Sequence, residues 1–204
     1  MTVAEPMTAA TDGILTIAAA WFAFRLWRLH AGRAWPLAFL FTAIGSLAGG
    51  TYHALGGGTA IWKVTTFAIG LAGFFLLVAT RVPVIVAVAK FVAYATWMVA
   101  HDDFKYVIAD YVATLLIIVV MQIVAWFRTR APGAPWIAGS VAVSVVAALV
   151  QQYGTDLHPQ FNHNDLYHAI QLVALWLLYR GGRISSAAVS AAGPPASGRR
   201  GAIH

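Results

Sequence analysis

Residues 106–127 read YVIADYVATLLIIVVMQIVAWF, with a single charged residue, Asp110, in the whole run. A helix of roughly 20 predominantly apolar residues crosses the hydrocarbon core of a bilayer. This run has that length, and the chain repeats the pattern on both sides of it. Apolar segments of spanning length are read at about 14–29, 35–55, 61–79, 84–100, 106–127, 135–152 and 164–179. Pro36, Pro83 and Pro135 stand at segment starts, where a missing N–H costs least. Gly56-Gly57-Gly58 separates the second segment from the third, and Gly181-Gly182 is expected to end the seventh. The expected fold is therefore all-α: a polytopic membrane protein built as a seven-transmembrane-helix bundle.

Composition points the same way. The 204 residues are 60% hydrophobic and 10% charged, whereas a soluble domain carries roughly 25% charged residues. So few charges cannot coat a water-facing surface, and membrane lipids are the expected surroundings. The net charge is +6. In a soluble domain that would raise nucleic acid as a partner. Here the basic residues fall in short turns and the tail, a pattern that sets membrane orientation, and no nucleic-acid partner is expected. The chain has no cysteine, which removes disulfides, thiolate metal sites and cysteine nucleophiles.

Charge also orients the chain. Arg25, Arg28, Arg33, Arg81, Arg128, Arg130, Arg180, Arg183, Arg199 and Arg200 map to one face, while Glu5, Asp12, Lys63, Asp102, Asp103, Lys105, Asp156 and Asp165 map to the other. The arginine face is expected to be cytoplasmic, which puts the N-terminus outside and the C-terminus inside. The first residues hold Glu5 and Asp12 and no basic residue, unlike a secretory signal. The expected division is a short extracytoplasmic N-terminus at 1–13, the transmembrane domain at 14–183 and a disordered cytoplasmic tail at 184–204. The expected location is a bacterial-type inner membrane, crossed several times.

Residues three and four apart share a helix face. Thr42, Ser46, Gly49 and His53 make one stripe, and Lys90, Tyr94, Trp97 and His101 another. Further stripes are Tyr106, Asp110 and Thr114; Ser140, Ser144, Ala147 and Gln151; and Asn164, His168 and Gln171. Polar groups facing hydrocarbon are costly, so these stripes are expected to face inward. Hydrogen bonding between helices accounts for Thr42, Ser140 and Ser144. Lys90 either snorkels to the nearer interface or is a buried functional lysine.

The stretch Phe161-Asn162-His163-Asn164-Asp165-Leu166-Tyr167-His168 is densest in chemistry. Asn162 or Asn164 can cap the seventh helix, with Asp165 favoured by its dipole. His53 and His168 lie at similar depth. Two neutral imidazoles at one level can bind a divalent metal such as zinc, or form a hydrogen-bonded pair in a wet cavity. A catalytic zinc takes three protein ligands and a water. His163, Asn164, Asp165 and His101 are the candidates for the third, with His163 and Asp165 chemically preferred.

Seven helices, an outer N-terminus, His53 late in the second helix and Asn164-x3-His168 opening the seventh resemble the CREST superfamily. That group includes alkaline ceramidases and adiponectin-receptor-like proteins. Its pattern is Ser-x3-His on helix 2, Asp on helix 3 and His-x3-His on helix 7. Gly49 stands at the serine position here, with Ser46 one turn deeper; the third helix has no carboxylate; and Asn164 stands at the first helix 7 histidine. The resemblance implies a zinc-dependent hydrolase of lipid amide or ester bonds, with its site near the outer face. His53 and His168 would hold the metal, with His163 or Asn164 beside them. Asp165 or Asp110 would serve as base, Lys63 or Tyr167 would stabilise the oxyanion, and Ser46 would stand in for the serine. Two other classes remain: a transporter or proton relay using Lys90, Asp110 and the outer histidines, or a structural or sensory membrane protein. A retinal-binding protein is disfavoured, because the last helix has no lysine.

Overall fold

The computed structural model describes residues 5–154, 156–158 and 161–192. These residues form seven α-helices: α1 (Pro6–Arg28), α2 (Ala34–Leu55), α3 (Thr59–Ala79), α4 (Val84–Ala100), α5 (Phe104–Thr129), α6 (Ala134–Tyr153) and α7 (His163–Ala192). Among the described residues there is one isolated β-bridge, between His158 and Phe161, and no strand. Five helices, α1, α2, α3, α5 and α6, are long and apolar enough to cross a membrane. The protein is thus a helical bundle of membrane type.

Punctuation set by proline and glycine places most boundaries. Pro6 opens α1, Pro83 is the residue before α4, and Pro135 lies in the first turn of α6. Gly56 and Gly154 end α2 and α6 in the left-handed conformation that glycine adopts without strain.

Two boundaries differ from expectation. α1 starts at Pro6, about two turns before residue 14, so most of the expected N-terminal segment is helix; residues 1–4 lie outside the described residues. α7 does not stop at Gly181-Gly182 but runs to Ala192, into the expected tail. These glycines are packing surfaces. A Cβ on Gly181 would lie 2.5 Å from Ile137 of α6, and one on Gly182 would lie 2.9 Å from the Trp35 ring of α2. Hydrogen-bonded helix, once begun, absorbs a glycine at a cost of about 1 kcal/mol, and close approach between helices is what glycine offers a membrane bundle. Residues 193–204, including Arg199 and Arg200, lie outside the described residues.

The helices close into a ring. α1 packs on α2, α2 on α3, α3 on α5, α5 on α6, α6 on α7, and α7 returns to α1. α4 stands outside the ring against α3, where Tyr94 lies across Gly70 and donates to the Thr66 carbonyl at 2.8 Å. Lys90 on α4 reaches Asp110 on α5 at 2.5 Å, and both side chains are largely buried. Lys90 is therefore paired with α5 instead of extending to the interface. Ser140 bonds the Ala174 carbonyl of α7 at 2.8 Å, as interhelical hydrogen bonding requires. The arginine half of the bundle is filled by Leu26, Trp35, Phe39, Leu77, Ile118, Ile137 and Leu178. The opposite half is less tightly filled and holds a cavity.

Breaking one member of a buried ion pair strands the other, at a cost of roughly 3–5 kcal/mol. Lys90→Met is therefore expected to lower unfolding free energy in mixed micelles by about that amount. The double variant Lys90→Met/Asp110→Leu should regain more than half of the loss. Losses that simply add in the double variant would show that the pair is not coupled.

Candidate functional site

The site starts with the early beginning of α1. Because the helix opens at Pro6, Thr8, Thr11 and Asp12 share its inner face at i, i+3 and i+4, and Thr8 and Asp12 are buried. Room for Asp12 comes from α2. A Cβ on Gly50 would sit 2.9 Å from the Asp12 Cβ, and one on Gly49 would sit 3.5 Å from Asp12 Oδ2. His53 follows one turn along α2. Its backbone carbonyl accepts from the Glu5 amide at 3.2 Å. Its Nδ1 lies 3.0 Å from Glu5 Oε2 in an ion-pair contact without hydrogen-bond alignment.

α7 brings the partner. Asn162 caps it: Asn162 Oδ1 accepts from the amides of Asn164 (2.8 Å) and Asp165 (3.3 Å), while the Asn162 amide donates to Asp165 Oδ2 at 2.9 Å. This reciprocal arrangement is a capping box with Asp165 in the glutamate position. It fixes the entry of α7 and so the height of His168, one turn further along. His168 Nδ1 lies 2.8 Å from Thr11 Oγ1, and His168 Nε2 lies 3.5 Å from Asp12 Oδ1. Thr11 Oγ1 also bonds the Thr8 carbonyl at 3.0 Å and lies 3.5 Å from Asp165 Oδ1. A hydroxyl has one proton. With that proton on the Thr8 carbonyl, Thr11 accepts from His168 Nδ1–H, and Nε2 presents a lone pair toward Asp12. With that proton on His168 Nδ1 instead, Nε2–H points toward Asp12.

Asp12, His53 and His168 all line one cavity of about 260 Å³ inside the ring. Its polar end also carries Asn164, Gln151, Tyr167 and Ser46, and its floor is Leu15, Ile69, Ala72, Val112 and Leu175. A smaller apolar void of about 20 Å³ continues past Thr42 and Tyr111 toward Leu76 and Leu178. All six helices of the ring contribute to the lining, and α4 does not.

The structure sorts the expected site residues into two groups. His53, His168, Asn164 and Ser46 line the cavity. Asn164 is bonded to Gln151 at 2.7 Å. Asp165 is buried in the capping box behind the lining. Lys63, Asp110 and His163 are placed elsewhere. Lys63 Nζ contacts the Met98, Val99 and His101 carbonyls and Asp102 at the C-terminal end of α4, where a cation is favoured. Asp110 faces Lys90. His163 turns to Asp156 at 2.8 Å; its ring and then its backbone amide hold the Asp156 carboxyl below the usual range. His101 stacks on Trp97 at 4.0 Å.

Thr11 and Asp12 as the partners of His168, and Tyr111 on the cavity wall, escaped the sequence reading. Pro6 as a first helical residue, with Thr8, Thr11, Asp12 and Leu15 at helical spacing, was the available signal. As for a metal, Asp12, His53 and His168 supply donor types that zinc takes. Among the described residues, no three His, Asp or Glu side chains are gathered closely enough to hold an ion as they stand. Asp12 and His168 fit as two ligands, with His53 on the same wall.

Removing the cap separates positioning from chemistry. Asn162→Ala is expected to lower stability by about 0.5–2 kcal/mol. It should also blunt any activity through His168 without abolishing it. Wild-type stability in Asn162→Ala would count against the capping box.

Residues 7–187 match a family of unknown function, DUF6962. Comparison with curated proteins and with solved structures finds no match for this chain. The family match reaches all seven helices and takes in the whole cavity wall, and the chain belongs to the DUF6962 family.

Proposed function

We propose that this protein is a seven-span integral membrane hydrolase that takes an amphiphilic lipid into the ring cavity and cleaves an amide or ester bond beside Asp12 and His168. The observation that carries this reading is a buried carboxylate meeting a histidine at the polar end of a cavity whose floor is apolar. An amphiphile matches both ends: a polar head against Asp12, His53, Asn164 and Gln151, and a chain along Leu15, Ile69 and Leu175. The CREST resemblance supports the same class, with Asp12 of α1 as the carboxylate that the third helix lacks. The arginine face supports a cytoplasmic C-terminus in a bacterial-type inner membrane and puts the cavity toward the outer leaflet.

The chain's own residues divide the work. Thr11 holds the His168 ring and leaves Nε2 toward the cavity. His168 Nε2 takes a proton from the attacking water and returns it to the leaving group. Asp12 stabilises the imidazolium that forms in between. Zinc would need Asp12, His53 and His168 Nε2 to draw together around it; it would then supply an acidified water and a Lewis acid in place of proton transfer by His168. The apolar floor excludes bulk water and fixes the acyl chain.

Purified protein is tested with N-acyl and ester lipids. Loss of a general acid–base group costs roughly 10²–10⁴-fold in rate. His168→Ala and Asp12→Asn are expected to lose that much while unfolding near the wild-type temperature. Elemental analysis separates the two roles of His168: about one zinc per chain, lost in the His53→Ala/His168→Ala double variant, makes it a metal ligand, and active metal-free protein makes it the base. No turnover of either lipid class by the wild type would end the hydrolase reading, and turnover unchanged in His168→Ala would remove His168 from the chemistry.

The orientation is checked separately, since a chain without cysteine accepts single-cysteine labels. Leu157→Cys should react with an impermeant maleimide on intact cells, and Thr129→Cys only after permeabilisation. The reverse pattern overturns the topology.

A further inference from the structure

Among the described residues, the arginine end of the bundle has no acidic side chain. All seven acidic residues of the chain, Glu5, Asp12, Asp102, Asp103, Asp110, Asp156 and Asp165, lie in the other half or on α5 opposite Lys90. Among the described residues, every ion pair uses a lysine or a histidine, and no arginine has a carboxylate partner. Eight described arginines therefore stand without a countercharge from the described residues.

Arg25, Arg28, Arg130 and Arg183 each lie over one aromatic ring, whereas Arg180 is held between two. Its guanidinium lies 4.6 Å from the Trp136 ring centre and 5.3 Å from that of Trp176. The two indoles stand 6.0 Å apart, nearly perpendicular, and form two walls around it. Cation–π contact on two sides restrains a side chain that otherwise has large rotamer freedom. Arg180 Nε is buried and has no hydrogen-bond partner. A buried donor left unpaired is costly, and the guanidinium fork matches a phosphate oxygen pair. Trp176 is 43% exposed and Val173 52%. Apolar surface thus continues along the outside of α7 from the guanidinium toward the middle of the helix, where an acyl chain would lie.

We propose that Arg180, caged by Trp136 and Trp176, binds the phosphate of an anionic membrane phospholipid whose acyl chains lie along α7. The occupant is a lipid because the site joins a fixed cation to a lipid-facing apolar strip. This site is at the other end of the molecule from Asp12 and His168, and it does not depend on the hydrolase reading.

Thermal unfolding of delipidated protein in mixed micelles tests the site. Phosphatidylglycerol is expected to raise the wild-type transition by several degrees more than the same amount of phosphatidylcholine, since a ligand of the folded state stabilises it. Arg180→Gln should erase that difference, while Arg183→Gln, with the same net charge, should keep it. Equal loss in both variants would mean diffuse charge attraction and overturn the proposal. So would equal effects of the two lipids in the wild type. A second measurement needs no variant. Chain-brominated phosphatidylglycerol should quench wild-type tryptophan fluorescence more than brominated phosphatidylcholine, and inorganic phosphate should not displace it. Equal quenching, or displacement by inorganic phosphate, overturns the lipid site.

Discussion

A carboxylate inside an apolar phase must find its partners within the protein, and in this molecule Asp12 imposes that demand. It is 5% exposed. To bury it, α1 and α2 approach so closely that Gly50 has no room for a methyl group. That approach sets His53 beside the start of α1 and lets Glu5 reach it. On its other side Asp12 faces His168, whose height is fixed by the Asn162–Asp165 cap. The contacts among α1, α2 and α7 at this end follow from placing one acid.

The two halves of the bundle answer the same solvent in different ways. Without a hydrophobic force between helices in lipid, association relies on packing and hydrogen bonds. The arginine half uses packing, with Leu26, Leu77 and Ile118 fully buried. The other half uses polar contacts around a cavity, which packs less tightly but leaves space for a ligand. α4 stays outside both schemes and is tied on by Tyr94 and Lys90. Excluding it from the ring leaves the cavity wall to six helices.

Helix count and most helix ends were legible because proline and glycine mark them and because apolar length is measurable along a sequence. The start of α1 was not. Thr8, Thr11 and Asp12 lower local hydropathy, so the apolar run begins later than the hydrogen-bonded helix does. Gly181-Gly182 misled for the opposite reason: in sequence it resembles a stop, while in three dimensions it is a contact with Ile137 and Trp35. His53 and His168 were found by shared depth, a property of helix register. Lys63, Asp110 and His163 were near the right end or the right helix, but their direction around the axis depends on neighbours that only the folded ring supplies. The pairing of Lys90 with Asp110 needed the position of α4 outside the ring, which spacing along the chain does not encode.

The closure of α7 onto α1 also has a consequence in time. Thr11 and His168 are 157 residues apart. At a synthesis rate of about 5–20 residues per second, α1 waits roughly 10–30 s for the helix that completes its polar contacts. During that interval Asp12 has only α2, α1 itself and any water at the membrane surface to satisfy it. The half-made protein therefore exposes a polar seam until its last helix arrives. A chain stopped before α7 has no enclosed cavity and should be recognised and degraded as an orphan.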